Sequence, residues 1–136
     1  MTSTGVEELP TFGVKKTILF IEDEDELLTT VGALLRDQGY QVLQTVRAEE
    51  ALLMLKESKP DLILADIKLP GIDGFDLFRA VQGDEKLRKI PFMFLTAYND
   101  MKAQVYAKQH GAAEYITKPF DFEYLIARIR DLCPLG

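Results

Sequence analysis

Apolar residues along this chain follow two alternating rhythms. Short unbroken runs at Ile18–Ile21, Leu62–Ala65, Phe92–Leu95 and Tyr115–Ile116 read as strands buried on both faces, and Tyr40–Leu43, interrupted by Gln41, is a further strand candidate. Between them, apolar positions recur at helical spacing. Leu27, Leu28, Val31, Leu34 and Leu35 form one stripe; Ala48, Ala51, Leu52 and Leu55 a second; Phe75, Leu77, Phe78 and Val81 a third; Leu125, Ile126, Ile129 and Leu132 the last. The fourth helix is predicted from its ends, with Asn99 or Asp100 as its cap and Gly111 as its stop. Gly39 closes the first helix, Pro60 limits the second, the turn-rich Pro70–Gly74 precedes the third, and Asp121 caps the fifth. Five consecutive βα units predict an α/β protein, a parallel sheet with helices on both sides, too short for an eight-stranded barrel.

Residues 1–14 lack periodicity and carry breakers, so they are expected to form a flexible tail before one domain at 15–133, with 134–136 the end of a truncated linker. At 136 residues and 47% hydrophobic content, one packed core is available. No apolar run approaches the length of a membrane span, and no signal peptide is apparent. Cys133 is the single cysteine, read as a small apolar residue near a helix end; it fits a reducing compartment, and a cytoplasmic location is expected. The net charge of −6 opposes direct binding of nucleic acid by this segment.

The candidate chemistry falls where predicted strands run out: Glu22 and Asp23, Asp66, Thr96 and Ala97, and Lys118 with Pro119. Carboxyl ends of parallel strands share one edge, where such folds bind ligands. Asp66 is a usable nucleophile toward phosphorus, provided a divalent cation offsets the repulsion of like charges. Mg²⁺ suits carboxylates at this edge, with Mn²⁺ as a substitute, and Glu22 and Asp23 are placed to supply them. Lys118 can neutralise a phosphoryl oxygen and Thr96 can donate a hydroxyl. The Lys118–Pro119 bond can be cis.

Taken alone, several of these residues have plainer readings. Glu22–Asp25 is also an acidic helix-starting run, a reading kept for Glu24, while Asp25 opens the helix. Tyr115 alone is an ordinary strand aromatic. His110 is read as a helix-end residue, and Met54, Met93 and Met101 as packing residues. The Asp66–Leu77 window fails as a calcium loop, because Lys68, Pro70 and Leu77 stand at liganding positions, and no phosphate-binding GxxxxGK[ST] segment exists. Two other functions compete. One is a phosphatase similar to the haloacid dehalogenases, using Asp23-Glu24-Asp25; the other is a non-catalytic docking module.

The segments ILFIEDED, DLILADIKLPGIDGFDL, IPFMFLTAY and GAAEYITKPF closely resemble the receiver domain of two-component response regulators, over Lys16 to about Leu132. The resemblance implies a flavodoxin-like doubly wound (βα)5 three-layer sandwich, parallel sheet order 2-1-3-4-5, the order the chemotaxis member of this family illustrates. It implies Asp66 as phosphoacceptor. Mg²⁺ would be bound by Asp23, Asp66 and the Lys68 carbonyl, with Glu22 acting mainly through a metal-bound water. Thr96, the Ala97 amide and Lys118 would contact the phosphoryl group, and Thr96 with Tyr115, which rotates inward on phosphorylation, would form the switch. It further implies a sensor histidine kinase or histidine phosphotransfer protein as donor, and an output domain or effector read through the fourth-helix, fifth-strand, fifth-helix surface. A phosphorylation-dependent homodimer through that surface has Glu114 and Arg128 as candidate partners, although Gln104 and Tyr124 depart from the charged pattern. Lys68 and Tyr98, each two residues past a site residue, are expected to obstruct water and slow self-dephosphorylation.

Overall fold

The computed structural model describes residues 15–135; the expected tail at 1–14 and Gly136 lie outside the described residues. The elements alternate without exception: β1 (Thr17–Ile21), α1 (Asp25–Asp37), β2 (Gln41–Thr45), α2 (Ala48–Glu57), β3 (Leu62–Ala65), α3 (Gly74–Gln82), β4 (Phe92–Thr96), α4 (Met101–Gln109), β5 (Glu114–Thr117) and α5 (Phe122–Leu132). All strand pairs are parallel and the sheet runs β2-β1-β3-β4-β5. This is the expected doubly wound flavodoxin-like order.

Strand pleating sorts the core into two layers. Leu19, Ile21, Ile63, Ala65, Phe92 and Phe94 face one way, against α2, α3 and α4 residues such as Ala51, Leu77, Phe78 and Ala107. Ile18, Phe20, Leu62, Leu64, Met93 and Leu95 face the other, against Val31 and Leu35 of α1 and Leu125 and Ile129 of α5. Both faces of the central strands are covered, which is why they read as continuous apolar runs. No described helix is long and apolar enough to cross a membrane.

Most predicted boundaries lie within a residue or two of those observed, and the exceptions have physical causes. β2 runs two residues past the predicted Leu43, because all five of its residues pair with β1. As an edge strand it tolerates polar Gln44 and Thr45, whose side chains bond to the Leu28 carbonyl and to Glu50. Tyr40 precedes the strand, buried, and its hydroxyl donates to the Cys133 carbonyl at 2.7 Å. Met93 is fully buried and Met54 packs at the core's edge, but Met101 is 74% exposed and is not a packing residue. It sits just after the Asp100 cap, on a helix with only Ala107 buried.

Asp100 and Asp121 cap α4 and α5 through backbone N–H groups, and Gly39 and Gly111 follow α1 and α4 with φ near +109° and +108°. The His110 ring lies 2.8 Å from the Tyr106 carbonyl, at the end of α4 as expected.

Candidate functional site: an acidic pocket around Lys118

The fold draws the four predicted strand ends together through the backbone. The Asp66 N–H donates to the Ile21 carbonyl at 3.0 Å, Glu22 N–H to the Thr45 carbonyl at 3.1 Å and Lys118 N–H to the Thr96 carbonyl at 2.8 Å. Each bond ties the residue just beyond one strand to the end of its neighbour. Just beyond β3, the Gly74 N–H at the start of α3 donates to the Ile67 carbonyl at 2.7 Å, and that start is fixed by a reciprocal capping box between Asp73 and Asp76. In the sequence this stretch reads only as a turn, although D-x-x-D before Leu77 and Phe78 is a signal for the cap. Gly74 allows the helix to approach, since a Cβ there would lie 2.1 Å from the Asp66 carbonyl oxygen.

Asp23, Asp66, Lys68, Thr96, Ala97 and Lys118 line one pocket of about 440 Å³, together with Glu24, Tyr98 and Asn99. Glu22 lies beneath it, with no accessible surface. The Lys118 ammonium donates to Glu22 Oε1 and Asp66 Oδ2, both at 2.9 Å, and to Glu24 Oε1 at 3.3 Å. Asp66 Oδ1 accepts from the Ile67 N–H at 2.6 Å and the Lys68 N–H at 3.3 Å, which fixes the carboxylate plane. The Lys118–Pro119 bond is cis.

Charge in this pocket is unbalanced. Burial pushes the Glu22 carboxyl up to about 7, against the opposing hydrogen bond from Lys118 and with help from the Asp66 charge. Burial pulls Lys118 down, but Glu22 and Asp66 together outweigh it and hold the ammonium above its ordinary value. One carboxylate oxygen from each of Glu22, Asp23 and Asp66 lies within 4.8 Å of the others. Three hard oxygen donors converging on one point suit a small divalent cation such as Mg²⁺ or Mn²⁺, so the residues fit the expected metal.

Three expectations need correction. Glu24 is not merely a solvated acid, because its carboxylate shares Lys118 although its side chain is 66% exposed. An i, i+2 pair of acids at a strand end gave no hint of which one would turn inward. Tyr115 is already inward: it is 7% exposed and its hydroxyl donates to the Tyr98 carbonyl at 2.5 Å, so no rotation is needed to bury it. Burial, with the nearby Tyr98, Asp100 and Asp66, pushes its phenol up to about 12. Glu114 and Arg128 pair with each other inside the chain at 2.9 Å, and Arg128 also holds Asp131. Thr96 is fully buried and its Oγ1 accepts the Tyr98 N–H at 3.1 Å. Lys68 places its ammonium 5.0 Å from the centre of the Tyr98 ring, at the pocket's edge.

The family model described as the response regulator receiver domain matches residues 18–130, which contain every residue of this pocket. The chain belongs to the response regulator receiver domain family. It is 40% identical over 120 residues to the transcriptional regulatory protein AfsQ1 of Streptomyces coelicolor, covering 88% of this chain and 52% of that protein. It is 32% identical over 112 residues to PilH of Pseudomonas aeruginosa, covering 82% of this chain and 93% of PilH. The non-phosphorylated HemR receiver domain from Leptospira biflexa superposes with a TM-score of 0.81 at 32% identity, covering 90% of this chain and 97% of that one. The chain spans about half the length of AfsQ1 and of several other curated relatives. A receiver is a signalling module and not a classical enzyme, and the dehalogenase-like phosphatase reading falls with the family assignment.

Proposed function

We propose that residues 15–133 form the cytoplasmic phosphoacceptor of a two-component system, taking a phosphoryl group onto Asp66 from a histidine kinase or a histidine phosphotransfer protein. The observation that carries this reading is the placement of Asp66 Oδ2 2.9 Å from the Lys118 ammonium, within the three-carboxylate cluster. Asp23, Asp66 and the Lys68 carbonyl would hold Mg²⁺, with Glu22 behind them. When bound, the cation offsets the negative charge of nucleophile and phosphoryl group and so permits their approach.

The chain's own residues do the rest. The donor's P–N bond breaks as an Asp66 oxygen forms the new P–O bond, and the proton balance closes on the departing imidazole. Two backbone N–H groups already fix Asp66 Oδ1, leaving Oδ2 facing Lys118 as the attacking atom. Lys118 shifts its hydrogen bond from Asp66 to an oxygen of the transferred group, and the Ala97 N–H and Thr96 hydroxyl donate to the others. Thr96 leaves the Tyr98 N–H to do so, and that residue's carbonyl holds Tyr115. Phosphorylation therefore favours the inward Tyr115 by stabilising a conformation the chain already adopts. An attached output domain or a separate effector reads the α4-β5-α5 face. DNA binding, where the full protein has it, belongs to that output and not to this acidic segment. A homodimer through the same face would have to open the internal Glu114–Arg128 pair.

The test is incubation with Mg²⁺ and a small acyl phosphate, followed by intact-mass measurement. One phosphoryl group is expected on the wild type and none on Asp66→Asn; equal labelling of both would end the assignment.

A further inference from the structure

Beside the phosphoacceptor pocket lies a larger groove of about 720 Å³ between the β3–α3 loop, α3 and the start of α4. It shares only Lys68 and Tyr98 with the pocket; its own walls come from Phe75, Ala103 and Tyr106. Three aromatic rings face it, and Phe75 meets Tyr106 edge to face with centroids 5.8 Å apart. Its volume lies within the few hundred to about 1,000 Å³ of sites that take small molecules.

The charges around this groove are unequally committed. Asp73 Oδ1 accepts the Asp76 N–H in the α3 capping box. Asp100 accepts from the Lys102 and Ala103 N–H groups and from the Tyr98 hydroxyl. Arg79 is paired with Asp76 at 2.8 Å. Lys68 and Lys102 are exposed, and among the described residues neither enters an ion pair. Two ammonium groups without a carboxylate partner, one of them over the Tyr98 ring, thus edge an aromatic groove in a chain whose net charge is −6. Aromatic walls favour a flat ring, and cations without a carboxylate partner favour an anion.

We propose that this groove binds a small planar aromatic anion, its ring against Phe75, Tyr98 and Tyr106 and its charge toward Lys68 and Lys102. Neither Asp66 nor a metal takes part in the site, although Lys68 and Tyr98 border the phosphoacceptor pocket as well.

The probe is 2-naphthoate, titrated into the ¹⁵N-labelled chain without Mg²⁺ or phosphodonor and followed by amide chemical shifts, with the neutral 2-naphthamide as control. Shifts are expected at Phe75, Tyr98, Lys102, Ala103 and Tyr106. At the efficiency usual for ligands of this size, the Kd is about 1 mM or tighter. The amide should bind about tenfold more weakly, Lys102→Gln should weaken naphthoate several-fold, and Ala103→Trp should abolish its shifts by filling the groove. Lys102 is exposed, so its variant keeps the test open should the tryptophan disturb folding. Absence of shifts at 10-fold excess over that Kd, equal binding of the amide, or indifference to Lys102→Gln would each overturn the proposal. So would saturation of these residues by an acidic peptide that 2-naphthoate fails to displace, which would make the groove a protein-docking face.

Discussion

Replacing Glu22 by glutamine should stabilise the metal-free domain at alkaline pH and do little or the reverse in acid. Glu22 is wholly buried, and its carboxyl titrates at about 7 in the folded chain against an ordinary 4.5. The folded state therefore holds a proton that the unfolded state has released across this window, and stability falls as pH rises from about 4.5 to about 7. At about 1.4 kcal/mol per tenfold, the charged folded form bears roughly 3 kcal/mol above pH 7. Glutamine removes that cost but keeps an amide oxygen for Lys118. Against this, its NH₂ would face the Glu24 N–H that Glu22 Oε2 now accepts at 3.1 Å, a loss of about 1 kcal/mol. The net gain is about 1–2 kcal/mol at pH 8, or roughly 4–8 °C in Tm for a domain of this size. Thermal melts in chelator at pH 5.5 and 8 measure it, with Mg²⁺ added in parallel. Wild type should lose stability between the two pH values and regain it with Mg²⁺ at pH 8, whereas Glu22→Gln should show a flatter profile. A glutamine variant that melts below wild type at pH 8 without metal would refute the account.

Two other outcomes follow from the site's surroundings. Gly74→Ala places a methyl 2.1 Å from the Asp66 carbonyl oxygen and 2.8 Å from the Ile67 Cα; the backbone must shift, so the domain should lose roughly 2–4 kcal/mol in denaturant melts and its Asp66 labelling should slow. Lys68 and Tyr98 lie 5.0 Å apart at the pocket's edge; on the proposal that they screen a phosphorylated Asp66 from water, the Lys68→Ala, Tyr98→Ala double variant should hydrolyse its acyl phosphate about tenfold faster, a barrier change of about 1.4 kcal/mol, and unchanged decay would contradict this.

What the sequence made legible depended on whether one residue type implied one place. Strands buried on both faces leave little choice of residue, so Leu62–Ala65 and Phe92–Leu95 were plain. Residues at the ends of such strands inherit their position from the ladder, and that logic places Asp66, Thr96 and Lys118 at one edge of the sheet. Edge and amphipathic elements were less plain. β2 continues into Gln44 and Thr45 because only one side of it needs a partner, and α4 buries almost nothing but Ala107, so Met101 was misread. Within the site, the sequence could not assign rotamers. Glu24 turning toward Lys118 and Tyr115 lying inward are outcomes of packing and charge, which no spacing encodes.

The convergence of these groups is a backbone achievement that the side chains oppose. Parallel strand ends, locked by the Asp66-to-Ile21 and Lys118-to-Thr96 bonds, bring Glu22, Glu24 and Asp66 around a single ammonium, with Asp23 in the same carboxylate cluster. In water such carboxylates would separate; here the sheet's apolar layers, from Ile18 to Ile116, hold the ends where repulsion would move them. The excess negative charge is thus held in the resting domain, where burial first, and the Asp66 charge to a lesser degree, raise the Glu22 carboxyl to about 7. Any added positive charge at the cluster relieves that opposition directly, so cation binding and folding stability must rise together. The same logic ranks the acids: substitution of buried Glu22 should show mainly in stability, and Asp23→Asn, at the exposed lip of the pocket, mainly in cation affinity.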